Sequence, residues 1–171
     1  MSIALLGYRG SGKSTVGKRL ADRLWEKFVD TDEVVVSKAG MSIKDIFERQ
    51  GEAAFREMES QVVREVSVLP GHVIALGGGA VLREENRKVL KDAGLKLIYL
   101  RCEPDELVKR IQADPTSAEG RPDLTELGGG IEEIRKVLAE REPIYRSMMT
   151  AELDVTHLTP QDAVVYITRM M

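Results

Sequence analysis

A glycine-rich loop near the amino terminus constrains the fold of this chain more than any other feature. The short apolar run Ile3–Leu6 leads directly into the loop, and a helix-like stretch from Lys13 to Trp25 follows it. The loop fits the pattern G-x-x-x-x-G-K-[ST], with the residues Gly7-Tyr8-Arg9-Gly10-Ser11-Gly12-Lys13-Ser14. This pattern indicates phosphate binding when a strand precedes it and a helix follows it. The sequence therefore predicts a strand, a phosphate-binding loop and a helix in that order.

The loop residues suit the phosphates of a nucleotide. Glycines let successive backbone N–H groups point at phosphate oxygens, and the start of the helix adds partial positive charge. Lys13 supplies a mobile charge for the β and γ phosphates, and Ser14 offers a hydroxyl to Mg²⁺, which prefers hard oxygen ligands. The alternative is a glycine-rich turn that binds nothing. Average composition gives a chance match odds of about one in a hundred in this length, so we predict nucleotide binding.

Composition limits the class of protein. The chain has 171 residues, 43% hydrophobic and 31% charged, enough for one domain with a sizeable core. Its 25 Lys and Arg against 28 Asp and Glu give a net charge of −3, which offers nucleic acid no overall attraction. With a single cysteine, Cys102, no internal disulfide is possible. The start lacks the basic segment of a secretory signal and no apolar run reaches membrane-spanning length, so we expect a cytoplasmic protein without a membrane partner.

Short apolar runs alternate with longer helix-like stretches, which predicts an α/β fold with a parallel sheet. The predicted strands are Ile3–Leu6, Phe28–Val29, Val73–Leu76, Leu95–Leu100 and Ala151–Val155. The predicted helices are Lys13–Trp25, Ser42–Gln50, Glu52–Leu69, Arg83–Ala93, Pro104–Ala113, Ile131–Met149 and Pro160–Met170. Because no linker or internal repeat divides the chain, we expect residues 1–171 to form one domain.

One irregular tract, Gln112–Gly130, is rich in Gly, Asp, Pro and Thr and is longer than most connections inside a domain. It is either a disordered insert or a functional flap. In the second case, Arg121 of the sequence Gly120-Arg121-Pro122 could be carried over a transferring phosphoryl group.

Two acids follow the second predicted strand, in Asp30-Thr31-Asp32. The carboxyl ends of parallel strands face the ligand crevice of an open α/β sheet, so both side chains should lie towards the phosphate loop. An acid there can order the water around Mg²⁺ or accept a hydroxyl proton. Capping of the next helix by Asp30 or Asp32 explains the same residues about as well. The sequence leaves both interpretations open.

Further candidates come from three glycines and two arginines. Gly77, Gly78 and Gly79 end the third predicted strand and permit close approach of a ligand to bare backbone, although a plain turn is the alternative. Arg56 and Arg141 could each bind a carboxylate bidentately. Taken alone, each arginine is explained better by an ion pair on a helix surface.

Together these residues resemble the shikimate kinase family. The resemblance runs in order through Gly7–Thr15, Asp30-Thr31-Asp32, the segment from Phe47 to Arg56, Gly77–Ala80, Arg121-Pro122 and the segment from Arg141 to Tyr145. The phosphate loop alone is generic, whereas the ordered combination is specific. The resemblance implies a three-layer α/β P-loop kinase fold, with a five-stranded parallel sheet in the order 2-3-1-4-5 and a mobile lid at about residues 112–130. It also implies transfer of the γ-phosphate of ATP to the 3-hydroxyl of shikimate with Mg²⁺ as cofactor, and we expect a monomer.

The resemblance assigns roles to individual residues. Nucleotide binding falls to Gly10, Ser11, Gly12, Lys13, Ser14, Thr15, Arg110, the region around Pro160 and, from the lid, Arg121. Ser14 and Asp30 serve Mg²⁺. Within and beyond an acceptor-binding segment at about residues 31–62, the substrate-binding residues are Asp32, Phe47, Phe55, Arg56, Gly77, Gly78, Gly79 and Arg141. The implied catalytic residues are Lys13, Arg121 and Asp32, the last as the base, while Arg56 and Arg141 clamp the substrate carboxylate.

Three residues depart from the family pattern. Arg9 stands where some members carry proline, and Trp25 where many have the glycine that ends the first helix. Asp123 interrupts the common lid sequence Arg-Pro-Leu-Leu. Two other interpretations stay open at this point. One is another small-molecule kinase of the same fold, such as a gluconate kinase, and the other is a regulatory or binding module that has lost turnover.

Overall fold

One parallel sheet forms the centre of the molecule. The computed structural model describes residues 2–114, 122–123, 128 and 130–171. Within them the strands are β1 (Ile3–Leu6), β2 (Lys27–Asp30), β3 (His72–Ala75), β4 (Lys96–Arg101) and β5 (Ala151–Asp154). They pair in parallel in the order β2-β3-β1-β4-β5, so the expected strand order is confirmed.

Helices connect the strands and cover the sheet. In the described ranges they are α1 (Lys13–Leu24), α2 (Thr31–Ala39), α3 (Ile43–Gln50), α4 (Glu52–Ser67), α5 (Glu84–Asp92), α6 (Pro104–Ala113), α7 (Ile131–Met148) and α8 (Pro160–Met170). All the predicted helices are present, with ends shifted by at most two residues. None of the helices seen in this part of the chain is long and apolar enough to span a bilayer.

The central strand β1 explains the layered architecture. All four of its residues are at most 1% exposed. Successive side chains of a strand point to opposite faces of the sheet. Ile3 and Leu5 accordingly join one apolar core with residues of α1, α6, α7 and α8, whereas Ala4 and Leu6 join a second core with residues of α2, α3, α4 and α5. A strand that is apolar at every position is thus covered by helices on both sides.

Helix α2 is the one element of the described residues that the sequence prediction missed. Its interior contains the run Val34-Val35-Val36. β-Branched side chains have restricted rotamers in a helix, and three consecutive apolar residues do not show the spacing of an amphipathic helix. Local caps define the helix instead. The Asp30 carboxylate accepts hydrogen bonds from the N–H groups of Asp32 and Glu33, and Gly40 ends the helix with φ of +68°. Because α2 starts at Thr31, it follows β2 without any loop.

The parallel pairing brings three chain segments to one edge of the sheet. β3 lies between β1 and β2, and the register pairs Leu5 with Ala75 and Asp30 with Ala75. The loop after β1, the start of α2 and the glycines after β3 therefore leave the sheet side by side. This edge is where an open α/β sheet binds its ligands.

Candidate active site

The loop after β1 adopts turns that require glycine. The φ angles of Gly7, Gly10 and Gly12 are +150°, +86° and +93°. A Cβ atom on Gly7 would also lie 2.6 Å from the Ser11 hydroxyl oxygen and 2.8 Å from the Leu100 carbonyl oxygen. Helix α1 begins directly after Gly12, so its first N–H groups face the loop. The predicted strand, loop and helix are confirmed.

Lys13 is folded back over this loop. Its side chain is buried, and Nζ donates hydrogen bonds to the carbonyl oxygens of Gly7, at 2.8 Å, and of Tyr8, at 2.9 Å. These bonds satisfy a buried ammonium and fix its position beside the backbone N–H groups of the loop. The positive charge therefore stands at the wall of the neighbouring cavity.

That cavity has a volume of about 520 Å³ and extends along the loop to the start of α8. Its loop side is lined by Gly10, Ser11, Gly12, Lys13, Ser14 and Thr15, and its far side by Arg110, Thr159 and Pro160 among others. Arg110 is fixed there, since its guanidinium donates to Glu106 at 2.9 Å and to the Val155 carbonyl at 2.8 Å. All the nucleotide-binding residues predicted within the described ranges share this one cavity.

Asp30 has two contacts, one for each of the interpretations that the sequence left open. One carboxylate oxygen caps α2 through the N–H of Asp32 at 2.9 Å. The other accepts a hydrogen bond from the Ser14 hydroxyl at 2.5 Å. A serine hydroxyl and a carboxylate at the wall of the phosphate cavity are hard oxygen donors of the kind that Mg²⁺ takes from a protein. The pair therefore fits the edge of a magnesium site that phosphates and water would complete.

Asp32 lies in the first turn of α2, whose N-cap is Asp30. It is 9% exposed and lines both the nucleotide cavity and a second, smaller cavity. A Cβ on Gly77 would lie 2.5 Å from Asp32 Oδ1, so the carboxylate fills the space that the glycine leaves. Thr31, between the two acids, accepts a hydrogen bond from the Gly77 N–H at 2.8 Å and fixes this approach.

The second cavity has a volume of about 60 Å³ and adjoins the first at Arg9 and Asp32. The predicted substrate residues that line it are Asp32, Phe47, Phe55, Arg56, Gly78, Gly79 and Arg141. The rings of Phe47 and Phe55 lie 5.1 Å apart and form an apolar wall. Gly77 is not part of the lining and contacts the site through Asp32 instead. The cavity thus combines an apolar wall, two guanidinium groups and a carboxylate.

Arg56 is not the surface residue that its helical setting alone suggested. It is 9% exposed, and its Nη1 donates to Glu59 at 2.8 Å, with Glu52 at 3.4 Å. Glu59 is 1% exposed, and burial raises the pKa of its carboxyl group although the Arg56 charge opposes that shift. Arg56 also approaches the backbone at Gly79, where a Cβ would collide with its guanidinium.

Arg141 reaches the same cavity from α7. It is 8% exposed, and its Nη1 would lie 3.3 Å from a Cβ on Gly78. Tyr145, one helical turn further on, donates a hydrogen bond from its hydroxyl to the Gly78 carbonyl at 2.6 Å. Burial raises the pKa of Tyr145 to about 12, so the phenol stays protonated and remains a donor at neutral pH. Tyr145 therefore fixes the glycine segment between the two arginines.

Two contributors were missed by the sequence analysis. Glu59 holds Arg56, and its spacing of three residues from that arginine on a predicted helix could have shown the pair. Tyr145 was noted only as part of a motif. Its partner Gly78 is 67 residues away in sequence, so the contact depends on the tertiary fold and no local pattern predicts it.

Predicted lid residues fall partly outside the description. Arg121 and most of the tract 112–130 lie outside the described residues. Pro122 lines the smaller cavity, and Asp123 is exposed. Of the other departures, Arg9 lines both cavities, whereas Trp25 ends α1 with φ of +57° and is 95% exposed.

Comparison with known proteins relates this arrangement to one family. The family model described as shikimate kinase matches residues 9–171. The shikimate kinase of Rhodopirellula baltica is 44% identical over 155 residues, which cover 91% of this chain and 82% of that protein. Shikimate kinase 2 of Yersinia pestis is 42% identical and is covered to 95%, with 99% of this chain aligned. The solved structure of Acinetobacter baumannii shikimate kinase in complex with shikimate superposes with a TM-score of 0.91, at 31% identity over 99% of this chain and 91% of that one.

Proposed function

The chain belongs to the shikimate kinase family and is an ATP-dependent kinase, and from this premise we propose how its residues divide the reaction. The γ-phosphate of ATP passes to the 3-hydroxyl of shikimate and yields shikimate 3-phosphate and ADP. One observation carries the proposal: a large cavity on the phosphate loop and a small cavity with two buried arginines adjoin at the carboxylate of Asp32. A donor phosphate in the first and an acceptor in the second would meet at a group that can accept a proton.

On the donor side, the loop from Gly10 to Thr15 holds the phosphates through backbone N–H groups and the Lys13 charge. The two loop carbonyls hold Lys13 at the wall of the cavity, where its charge would act on the β and γ phosphates. Glu106 and the Val155 carbonyl fix Arg110, whose planar guanidinium would stack on the adenine of ATP. Pro160, at the far wall of the cavity, provides the opposing surface.

Mg²⁺ fits beside these residues. Ser14 and Asp30 would hold it, directly or through its water, because their oxygens lie together at the wall of the phosphate cavity. When bound, the ion neutralises the negative charge that develops on the β and γ phosphates. Within the described ranges, no group of three or more His, Cys, Asp or Glu side chains is arranged to hold a metal ion, so the pair would depend on nucleotide oxygens and water to complete the coordination.

On the acceptor side, the two buried arginines would bind the shikimate carboxylate. Arg56 is aimed by Glu59, and Arg141 lies against the Gly78 segment that Tyr145 holds. The shikimate ring then packs on Phe47 and Phe55 and on the glycine backbone. Binding the carboxylate at one end of the cavity leaves the ring hydroxyls at the other end, next to Asp32.

The transfer follows from this placement. The 3-hydroxyl oxygen attacks the γ-phosphorus as the bond to the ADP oxygen breaks, and its proton passes to the Asp32 carboxylate. Positioning and charge stabilisation supply most of the catalysis in such a reaction. Lys13 stabilises the transferring group from the donor side. We assign Arg121 to the same charge from a lid at residues 112–130, which would close the site against water.

Further parts of the proposal concern the whole chain. Residues 1–171 form one domain, in which the segment 31–62 binds the acceptor and the tract 112–130 closes over it. The protein acts as a monomer in the cytoplasm, with shikimate and ATP as its small-molecule partners. Light scattering of the purified protein tests whether it is a monomer. Slower hydrogen exchange of residues 112–130 with both ligands present would support the proposed lid.

The direct experiment measures ADP release by purified protein with ATP, Mg²⁺ and shikimate, with gluconate as the matched acceptor control. Rapid turnover with shikimate as the acceptor, and none with gluconate, supports the proposal. Turnover with gluconate instead would identify a different kinase, and no turnover with ligands bound would favour a module without catalysis.

The variant Asp32→Asn keeps the shape of the side chain and removes the proposed base, so turnover should collapse while ATP binding persists. If Asp30→Asn lost the acceptor and Asp32→Asn only the Mg²⁺ dependence, the two roles would be reversed.

The positively charged residues of the proposed site are tested by separate alanine variants. Lys13→Ala and Arg121→Ala should each lower turnover by orders of magnitude. Arg56→Ala and Arg141→Ala should weaken shikimate binding by about ten- to a hundredfold in calorimetric titration, because each loses a charge-assisted contact. ATP titrated into the same variants serves as the control. Equal weakening of ATP and shikimate would indicate general damage and contradict the carboxylate role.

A further inference from the structure

Arg9 is a cation in the phosphate loop that the roles assigned above do not use. It occupies the third position of the loop, between Tyr8 and the tight turn at Gly10. Its backbone N would lie 3.8 Å from a Cβ on Gly78, so the loop and the glycine segment after β3 approach each other at this residue. Arg9 therefore stands where the donor side and the acceptor side of the site come together.

The lining of the cavities gives the same placement. Among the described residues, Arg9 and Asp32 alone line both the nucleotide cavity and the acceptor cavity. Arg56 and Arg141 line only the acceptor cavity, and Lys13 and Arg110 only the nucleotide cavity. A phosphoryl group moving from one cavity to the other must pass the boundary that Arg9 and Asp32 line. A positive charge at that boundary would stabilise the charge that develops during transfer.

Within the described part of the chain, the Arg9 side chain also has an unused hydrogen-bond donor. Its Nε is buried without a hydrogen-bond partner in the described part of the chain. Ion pairs within that part hold Arg56 and Arg110, and none includes Arg9. A buried guanidinium nitrogen is normally paired, because an unsatisfied donor costs free energy. The surrounding groups therefore leave room for an anionic ligand on this side chain.

The charges around Tyr8 support this interpretation. Burial raises the pKa of the Tyr8 phenol, the positive charges of Arg9 and Arg141 lower it, and the buried Glu133 raises it. Arg9 thus shares its surroundings with one carboxylate from α7 and one arginine.

We propose that Arg9 is a further catalytic residue, whose guanidinium contacts the phosphoryl group during its transfer and the phosphate of the product. This role rests on the proposed function, since it needs a donor phosphate and an acceptor hydroxyl in the two cavities. Charge spreads over the three equatorial oxygens of the transferring group, and a forked guanidinium can meet two of them. Arg9 would act from the loop itself, independently of lid closure.

The test compares Arg9→Met, which keeps the length of the stem and removes the charge, with Arg9→Lys, which keeps a charge and loses the fork. Arg19→Met, on the exposed face of α1, is the matched control. We expect Arg9→Met to lower kcat by about ten- to a hundredfold with the KM for shikimate within twofold, and Arg9→Lys to restore part of kcat. The affinity for shikimate 3-phosphate should fall about tenfold in Arg9→Met while that for shikimate is unchanged. Circular dichroism verifies that each variant is folded.

Other outcomes would overturn the inference in separable ways. A folded Arg9→Met with kcat within twofold of the unaltered protein would show that Arg9 does not touch the phosphoryl group. An equal loss of affinity for shikimate and for its 3-phosphate would instead place Arg9 on the carboxylate. If the unaltered protein itself does not phosphorylate shikimate, the proposed function fails before Arg9 is tested. The two failures are therefore distinguishable.

Discussion

A single methyl group at Gly79 should disable the acceptor site without unfolding the protein. The φ angle of Gly79 is not positive, so alanine fits the backbone there. Its Cβ, however, would lie 2.8 Å from both Cζ and Nη2 of Arg56 and closer still to Nη1. Because non-bonded atoms prefer separations of about 3.5–4.0 Å, the guanidinium has to retreat by roughly 0.7 Å or more. Such a displacement breaks the geometry of a bidentate contact with a carboxylate.

The size of the effect follows from the contact that is lost. A charge-assisted hydrogen bond contributes about 1.5–3 kcal/mol, so Gly79→Ala should raise the KM for shikimate by about ten- to a hundredfold. Gly78→Ala is the matched variant. Its Cβ would lie 3.3 Å from Arg141 Nη1, and the milder crowding predicts a smaller rise. Steady-state kinetics and calorimetric ATP titrations are the assays, and ATP binding should not change, because Gly79 does not line the nucleotide cavity. An unchanged KM in folded Gly79→Ala, or an equal loss of ATP affinity, would refute the reasoning.

Three further substitutions test other parts of the structure. Trp25→Gly should stabilise the protein by about 0.5–1 kcal/mol, or roughly 1–4 °C in thermal unfolding, because glycine adopts the left-handed conformation of this exposed position without Cβ strain. Trp25→Ala keeps the Cβ strain and should change the stability little. Asp30→Asn should keep the cap and weaken only the Mg²⁺ dependence of turnover, while Asp30→Ala should also cost about 1 kcal/mol of stability in urea unfolding. Burial raises the pKa of Glu59, so the folded state holds its proton more tightly than the unfolded state, and stability must fall as pH rises from the ordinary value of 4.5 through the raised pKa. Glu59→Gln should therefore gain stability relative to the unaltered protein over that window, whereas Glu57→Gln, at an exposed position of the same helix, should follow the unaltered protein.

Most of the fold could be predicted because its elements are defined locally. Strand β1 and helices α6 and α8 have the predicted bounds, since an apolar run before a glycine defines the strand and a proline begins each helix. Helix α2 could not be found by the same method. Its valines suit a strand as well as a helix, and its stability depends on the Asp30 cap and on packing of Val35 into the core. Tertiary contacts overruled an ambiguous local preference.

The site shows the same division. The conformation of the phosphate loop depends on its own glycines, so the pattern from Gly7 to Ser14 was sufficient to predict a loop between β1 and α1. The two arginines were different, because a helical arginine near acids is usually exposed. What separates Arg56 from such a residue is its burial against Glu59 and the Gly79 backbone, and burial is a property of the folded chain. The ordered set of motifs predicted a site role for the two arginines where their own local sequence did not, and both line the smaller cavity.

The acids at the end of β2 illustrate why a helix cap and a proposed ligand-binding role do not exclude each other. A strand would point Asp30 and Asp32 to the same side, but the helix starts at Thr31 and rotates them apart. Asp30 caps α2 and accepts a hydrogen bond from Ser14. Thr31 accepts a hydrogen bond from the Gly77 N–H, and Asp32 lines both cavities where they adjoin. Three successive residues thus contact three different segments of the site. The absence of a loop between β2 and α2 fixes their relative positions, so the cap that stabilises the helix also sets the distance between the oxygens that we propose for Mg²⁺ and the carboxylate that we propose as the base.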